Sequence, residues 1–353
     1  MGIPMRTTRS QRPFVLLAAT IAAILLVVHF SSWGIPMTET SLLKSASPSS
    51  SSSETGTGSR NAFVTFLGGL NEKHAGTEGR IDDAEDLYFV ACRIMAYKFL
   101  HDPKTRTNTS IPFVVMVTED VEKFKVERLK RDGAIVIKID KIFSEWIIPK
   151  EERWADMLTK LRMFQLTQFD RIMYLDSDML ITRRMDGIFD DEAANFTYNV
   201  NDTALAKADE GPQPSSFVFA ATTSQGGYKH PHPPRKGNAL NGGCILFKPD
   251  NALFDHYMAV ASIKDRFDPA YAEQNLLNYV HRRDGNMPWV QMNTDWNVNW
   301  PTMEDYNWGI ASLHAKFWHA DNDKDLRDLL LKGRWKMEGF WEGKEEEELE
   351  DLY

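Results

Sequence analysis

The sequence predicts one α/β domain spanning residues 60–340. Three observations support this fold class. Strand and helix patterns alternate from residue 61 onward, which predicts parallel strands joined by right-handed crossovers. An apolar run over residues 171–175 stops at an acidic pair, as a buried strand does at the ligand-binding edge of such a sheet. The overall composition, 42% hydrophobic and 26% charged, is that of an ordinary globular protein.

The amino terminus differs from the rest of the chain. Residues 1–13 carry three arginines and are predicted to be a cytosolic tail, followed by an uncharged transmembrane signal anchor over residues 14–30. A cleaved signal peptide is the alternative for the same run. Residues 31–59 are rich in serine and predict a flexible stem. We therefore expect a single-pass type II protein of the Golgi membrane with its catalytic domain in the lumen.

Several features bear on compartment and partners. The net charge of -9 argues against a nucleic-acid partner. Glycosylation sequons begin at Asn108, Asn195 and Asn201, which is consistent with a lumenal glycoprotein. Two cysteines, Cys92 and Cys244, exclude a disulfide-rich scaffold and a cysteine-ligated zinc site. They could pair in an oxidising lumen or remain two separate buried thiols.

Five alternating elements are predicted before the acidic pair. The spacing of apolar and charged residues indicates strands at residues 61–67, 112–117 and 134–139. Helices are predicted between them, at residues 82–100 and 121–131.

An amphipathic helix is predicted over residues 154–169, leading directly into the strand before the acidic pair. Lys160 stands beside its apolar stripe, where a lysine commonly extends to solvent. Asp176 and Asp178 follow the strand one residue apart, on the same side of an extended backbone. Such carboxylates repel one another unless a proton or a cation lies between them, and oxygen ligands suit Mg²⁺ or Mn²⁺ shared with phosphates. A simple Asp turn is the alternative.

The second half is less regular. His230 and His232 lie in a proline-rich segment without a neighbouring acid or cysteine at ligand spacing, which predicts a covering loop rather than a metal site. Asn241-Gly242-Gly243 predicts a close approach of the backbone to a ligand, followed by a strand, and a simple turn before that strand is the alternative. Further helices are predicted over residues 253–263, 271–281 and 324–331, a strand over residues 310–314, and a solvated, disordered acidic tail within residues 341–353.

With these pieces in place, the chain resembles the family 8 (glycogenin-like) glycosyltransferases, and most of all fungal membrane-anchored members of the N-acetylglucosaminyltransferase type. The resemblance covers roughly residues 60–320. Its motifs occur in the family's order: Leu158-Thr159-Lys160-Leu161 before Tyr174-Leu175-Asp176-Ser177-Asp178, then Asn241-Gly242-Gly243, Glu273-Gln274 with Asn278, and His314 with Lys316.

The resemblance implies a GT-A fold, with a single catalytic domain over residues 60–340 on a mixed central sheet. It also implies retaining transfer of a glucose-type or N-acetylglucosamine-type sugar from a UDP-sugar to a glycan or glycoprotein, with Mn²⁺ or Mg²⁺ as cofactor. Carried over by position, the metal ligands are Asp176, Asp178 and His314. The residues implied to contact the nucleotide donor are Lys160, Ser177, Lys316, Tyr88 and Gly243. The residues implied to face the reacting sugar are Gln274, Glu273 and Asn241.

Two departures from the family pattern keep alternatives open. The family usually has Asp where this chain has Glu273, and the late motif is shortened, which makes His319 a substitute metal ligand for His314. One alternative is a catalytically degenerate, tethered sugar-binding module. The other is a dehalogenase-type phosphatase, which also ends a strand in Asp-x-Asp but places it near the start of its domain.

Overall fold

A computed structural model describes residues 60–69, 86–319 and 323–350. The predicted cytosolic tail, membrane anchor and stem all lie outside the described residues. Within the described ranges, no helix has both the length and the apolar character that crossing a membrane requires.

Strands and helices alternate through the first half as predicted. The strands are β1 (Asn61–Leu67), β2 (Phe113–Thr118), β3 (Ile135–Ile139), β4 (Arg171–Leu175), β5 (Met179–Ile181), β6 (Thr197–Tyr198), β7 (Ser216–Phe217), β8 (Phe219–Thr223), β9 (Leu240–Phe247), β10 (Val290–Gln291), β11 (Asn297–Asn299) and β12 (Ser312–His314). The α-helices are α1 (Leu87–Leu100), α2 (Lys123–Arg131), α3 (Asn251–Ser262), α4 (Ala272–Val280), α5 (Met303–Trp308) and α6 (Lys324–Glu350).

The central sheet has seven strands in the order β10-β8-β9-β4-β1-β2-β3. Strands β3, β2, β1 and β4 run parallel to one another, whereas β9 runs antiparallel to both β4 and β8. This is the mixed sheet expected of the GT-A fold, so the predicted fold class is confirmed. Beside β4 the order of the strands changes direction: β1, β2 and β3 lie on one side of it, and β9, β8 and β10 lie on the other. In α/β sheets a ligand-binding crevice forms at the carboxyl end of the strand where this change occurs.

The strands are buried on both faces because their side chains alternate between two hydrophobic cores. On β4, Ile172 and Tyr174 join one core, while Met173 and Leu175 join the other. Near-continuous apolar runs are the expected sequence pattern for such strands, which explains why β1, β2 and β4 were predictable.

Both cysteines, Cys92 and Cys244, are buried and free, and both belong to the core cluster that contains Leu175. The alternative of two separate buried thiols is therefore the one that the structure has.

A second, three-stranded sheet, β11-β12-β5, lies next to the acidic pair. Its antiparallel pairing sets His314 opposite Met179, the residue after Asp178. A residue near the end of the chain is thus brought beside the carboxyl edge of β4.

The segment before β4 corrects one prediction. The predicted amphipathic helix over residues 154–169 is instead two stretches of 3₁₀ helix, Glu152–Trp154 and Met157–Gln165. Residues 158–161 are all buried, and the Thr159 hydroxyl accepts a hydrogen bond from the Ile142 amide. Because consecutive side chains make contacts on different sides, tertiary packing outweighs the preference for a regular α-helix.

The predicted disordered acidic tail is also wrong for the described residues, because α6 continues as one helix of 27 residues to Glu350. Glu345 and Glu348 lie 2.6 and 2.5 Å from Arg128 and Arg131 on α2. The acidic run is therefore matched to a basic helix far away in sequence.

Candidate functional site

The two carboxylates of the acidic pair lie just beyond β4, as predicted. The Asp176 amide donates to the Gly243 carbonyl at 2.8 Å, which ties the residue to β9. The Tyr174 hydroxyl donates to Asp176 Oδ1 at 2.8 Å, and Lys160 Nζ lies 2.7 Å from the same oxygen. One oxygen of Asp176, Oδ1, thus binds groups of the protein itself, and Oδ2 lies toward His314.

His314 completes a compact donor set with these carboxylates. Its Nε2 lies 3.1 Å from Asp178 Oδ1 and 3.9 Å from Asp176 Oδ2. Burial alone raises the pKa of Asp178, but the charge of His314 and its hydrogen bond hold that pKa well below its usual range. Burial lowers the pKa of His314, yet the charge of Asp178 outweighs it and leaves the pKa raised.

These three residues fit a divalent cation. One ligand atom from each of Asp176, Asp178 and His314 lies within 4.8 Å of the others. Adjacent ligands of an octahedral ion with bonds of about 2.1 Å stand about 3.0 Å apart, close to the 3.1 Å between His314 and Asp178. Two carboxylates and an imidazole are donors that Mn²⁺ accepts. His319, the alternative ligand, is exposed and lies outside this donor set.

Gly243 gives the donor set its space. A Cβ atom at this position would lie 2.5 Å from His314 Cε1 and 2.7 Å from Asp176 Oδ2. No side chain fits there without moving the site. The Asn241-Gly242-Gly243 run therefore needs its glycines, but it lies inside strand β9 rather than in a turn before it.

Lys160 is buried instead of extending to solvent. Its Nζ bridges Asp176 Oδ1 and Glu273 Oε1, at 2.7 and 3.0 Å. Burial disfavours the charged ammonium, but the Asp176 and Glu273 charges outweigh it and raise the pKa of Lys160, so the cation is permanent at neutral pH. Burial raises the pKa of Glu273, which Lys160 partly offsets. Glu273, in the first turn of α4, is thus a counter-ion of Lys160.

Further basic groups surround the acidic pair. Burial lowers the pKa of Lys316, and the charge of Asp178 acts against that shift. Arg153, which the sequence analysis missed, also has its pKa lowered by burial and raised by the charge of Asp178. Its position seven residues before Lys160, directly ahead of the predicted amphipathic helix, was the available sequence signal.

An aromatic corner adjoins Lys316. The Tyr88 and Trp318 rings meet edge to face at 5.0 Å, and Lys316 Nζ lies 5.8 and 6.0 Å from their centroids. Tyr88 thus lies beside Lys316. Ser177 is buried between the two aspartates.

The predicted sugar-facing residues cluster where α4 meets β9. The Gly242 amide donates to Gln274 Oε1 at 2.8 Å, and the Gly243 amide donates to Asn241 Oδ1 at 3.1 Å. Asn278 anchors the same junction through its side-chain contacts with the backbone of Leu240. The side-chain oxygens of Gln274 and Asn241 are thereby oriented by the glycine backbone beside the donor set.

Comparison with known proteins finds relatives in sequence and in structure, of which a few are described here. No family model matches the chain. The Schizosaccharomyces pombe "Uncharacterized protein C4C3.09" is 30% identical over 280 residues, covering 71% of this chain and 72% of that protein. "Galactinol synthase 2" of Solanum lycopersicum is 21% identical over 308 residues, covering 83% of this chain and 78% of that protein.

A shorter match joins the chain to "Glucose N-acetyltransferase 1" of Saccharomyces cerevisiae, 30% identical over 97 residues, 27% of this chain and 18% of that protein. Among solved structures, the glycosyltransferase GlyE of Streptococcus pneumoniae TIGR4 matches with a TM-score of 0.47 and 12% identity, over 81% of this chain and 64% of that one.

Proposed function

The chain belongs to the same family as the Schizosaccharomyces pombe protein C4C3.09 and is a GT8-like glycosyltransferase; on this premise we propose that it is a metal-dependent, retaining hexosyltransferase. The donor is a UDP-sugar of the glucose or N-acetylglucosamine type, and the acceptor is a glycan or glycoprotein. The observation that carries the proposal is the meeting of Asp176, Asp178 and His314 at the carboxyl edge of β4, with buried Lys160 alongside.

Asp176, Asp178 and His314 would hold the cation, Mn²⁺ or Mg²⁺. When bound, it supplies positive charge next to the donor's diphosphate, where negative charge develops as the sugar leaves. The protein's part is to fix the three ligands before the donor arrives. The bonds from Lys160 and Tyr174 to Asp176 Oδ1 do this by directing Oδ2 toward His314.

The basic residues would balance the remaining phosphate charge. Lys316 and Arg153 carry charges that act on Asp178, and so lie on the side where a diphosphate would meet the acidic pair. A partly buried cation acts more strongly on a phosphate than an exposed one, because less water screens it. The edge-to-face rings of Tyr88 and Trp318 next to Lys316 offer a surface for the uracil base.

Gln274 and Asn241 would orient the sugar. Their side-chain oxygens accept hydrogen bonds from the Gly242 and Gly243 amides, which leaves the amide nitrogens as donors for sugar hydroxyls. Glu273 is held by Lys160, and its substitution for the usual Asp of the family lengthens this arm by one methylene.

We further propose the Golgi lumen as the location, with the anchor in residues 14–30. Three exposed sequon asparagines, Asn108, Asn195 and Asn201, support this placement, because the glycosylation machinery acts on accessible chains in the secretory pathway. Protease protection of the domain in sealed microsomes, with a mobility shift after deglycosylation, is the expected result. A protease-accessible, unglycosylated domain would contradict it.

The experiment for the enzymatic proposal is a screen of nucleotide sugars for hydrolysis by the purified chain with Mn²⁺, Mg²⁺ or chelator. Wild type should release UDP from one class of donor only when the metal is present. Asp178→Ala should lose the activity, and Asp190→Ala, which removes an exposed carboxylate outside the site, should keep it. Equal hydrolysis by wild type and Asp178→Ala would overturn the proposal. UDP binding without any turnover would point instead to the sugar-binding module.

A further inference from the structure

A second set of metal-binding side chains lies away from the acidic pair. His230 and His232, which the sequence placed in a loop without an acidic partner, meet Asp305 from α5, about seventy positions later in the chain. One donor atom from each of the three residues lies within 4.8 Å of the others. The sequence expectation was wrong here, because the acid comes from a distant helix.

The geometry of this cluster is that of a ligand set. His232 Nδ1 lies 3.1 Å from Asp305 Oδ1, and His230 Nε2 lies 3.5 Å from Asp305 Oδ2. In a tetrahedral zinc site with bonds of about 2.0–2.1 Å, neighbouring ligand atoms stand about 3.3 Å apart. The two observed separations lie on either side of that value.

An ordinary hydrogen-bonded His–Asp pair does not describe the contact. His232 Nδ1 and Asp305 Oδ1 are buried and close together, yet neither makes a hydrogen bond within the described structure. A buried polar atom without a partner costs about 1–3 kcal/mol, so two facing ones call for a third group between them. A cation that accepts both lone pairs is such a group.

The surroundings hold each ligand in place. Asp305 is fully buried, and its Oδ2 accepts hydrogen bonds from the Thr302 amide at 2.7 Å and hydroxyl at 2.9 Å, closing a capping box at the start of α5. His230 Nδ1 lies 3.2 Å from the Pro231 carbonyl, the kind of backbone contact that fixes the tautomer of a metal-bound imidazole. His230 Nε2 then faces Asp305 Oδ2 and the Trp300 carbonyl, the latter at 3.2 Å.

Glu304 supports the ligand role of His232. Its Oε2 lies 3.0 Å from His232 Nε2, on the opposite side of the ring from Nδ1, so it is placed to accept the Nε2 proton and leave Nδ1 unprotonated for the ion. Water would take the fourth position. A second imidazole in the ligand set favours Zn²⁺ over Mn²⁺ or Mg²⁺, because imidazole suits Zn²⁺ and most of the ligands of the other two ions are oxygens.

We propose that His230, His232 and Asp305 bind a structural Zn²⁺ ion that joins the loop between β8 and β9 to the start of α5. Strand β11 ends at Asn299, just before this site, and pairs with His314 of the acidic site. The zinc therefore fixes a loop on the margin of the catalytic cleft, and it does so independently of the cation that the acidic pair would hold.

The test measures zinc in the full chain, in a background that removes the first metal site. Asp178→Ala protein is loaded with Zn²⁺, dialysed, and analysed by elemental mass spectrometry. It should retain about one zinc ion per chain. Adding His230→Asn and His232→Asn should abolish retention, while adding His319→Asn, which removes an exposed imidazole outside the cluster, should not.

X-ray absorption at the zinc edge of the Asp178→Ala chain keeps the test decisive if the double-histidine variant fails to fold. Nitrogen and oxygen neighbours at about 2.0–2.1 Å with two-imidazole scattering are expected. Failure of the Asp178→Ala chain to retain zinc, or equal retention by the double-histidine variant, overturns the proposal, as does a zinc shell without imidazole. Because these readouts need no turnover, they do not depend on the proposed transferase activity.

Discussion

Removing the Lys160 ammonium should cost both stability and nucleotide binding. Lys160 is 5% exposed and lies between the carboxylates of Asp176 and Glu273, at 2.7 and 3.0 Å. In Lys160→Met the similar-sized side chain fills the volume, but the buried Glu273 carboxylate loses its counter-charge. Removing one partner of a buried ion pair typically costs about 3–5 kcal/mol, which we expect as the loss in free energy of unfolding.

A second substitution separates charge from packing. In Lys160→Met/Glu273→Gln, the buried Glu273 carboxylate is gone, and only Asp176, which keeps its hydrogen bond from Tyr174, remains next to the apolar side chain. About 2 kcal/mol of the lost unfolding free energy should therefore return. UDP affinity should stay weakened in both variants, because neither has the ammonium near Asp176. Urea unfolding monitored by tryptophan fluorescence and calorimetric titration with UDP and Mn²⁺ measure the two quantities.

The reasoning would be refuted by a single variant that loses less than about 1 kcal/mol and binds UDP as wild type does. It would also be refuted if the double variant were no more stable than the single one, because the penalty would then come from packing and not from the stranded charge of Glu273.

Three further outcomes follow from local geometry. Gly243→Ala should reduce Mn²⁺ affinity at least about tenfold by calorimetry, because its Cβ would overlap two metal-site side chains, whereas Gly339→Ala, with open space around it, should bind normally. Burial lowers the pKa of His281 to about 3, so the unfolded chain binds an extra proton below about pH 6.5. Wild type should therefore lose about 2 kcal/mol more than His281→Gln between pH 6.5 and 5 in urea unfolding, and equal pH slopes would contradict this. Glu345→Gln should cost less than about 1 kcal/mol, with the difference vanishing in high salt, because its contact with Arg128 is partly exposed; a larger, salt-independent loss would contradict it.

Sequence patterns were sufficient to predict the parallel strands of the central sheet and the position of the acidic pair. Strands β1, β2 and β4 are long apolar runs buried on both faces, so their pattern survives in the sequence. Strands such as β10 and β11 have two or three residues, too few for any periodicity to be seen. The positions of these short strands are set by pairing with strands that are distant in the sequence.

The site residues that sequence reasoning misjudged depend on long-range contacts. Nothing local shows that Lys160 is buried, because its partner Glu273 follows 113 residues later. The same holds for His230 and His232, whose carboxylate partner Asp305 belongs to a helix that follows three more strands in the chain. The ion pairs between α2 and the acidic end of α6 likewise could not be predicted from the sequence, because Arg128 and Glu345 are 217 residues apart.

The most direct test of the central claim is calorimetric titration of UDP into the purified catalytic domain with and without Mn²⁺. If Asp176, Asp178 and His314 hold a cation that grips a diphosphate, wild type binds UDP at least about a hundredfold more tightly with Mn²⁺, and Asp178→Asn binds it equally weakly in both conditions. UDP affinity that is indifferent to Mn²⁺ in wild type, or a Mn²⁺ effect that survives in Asp178→Asn, would contradict the account.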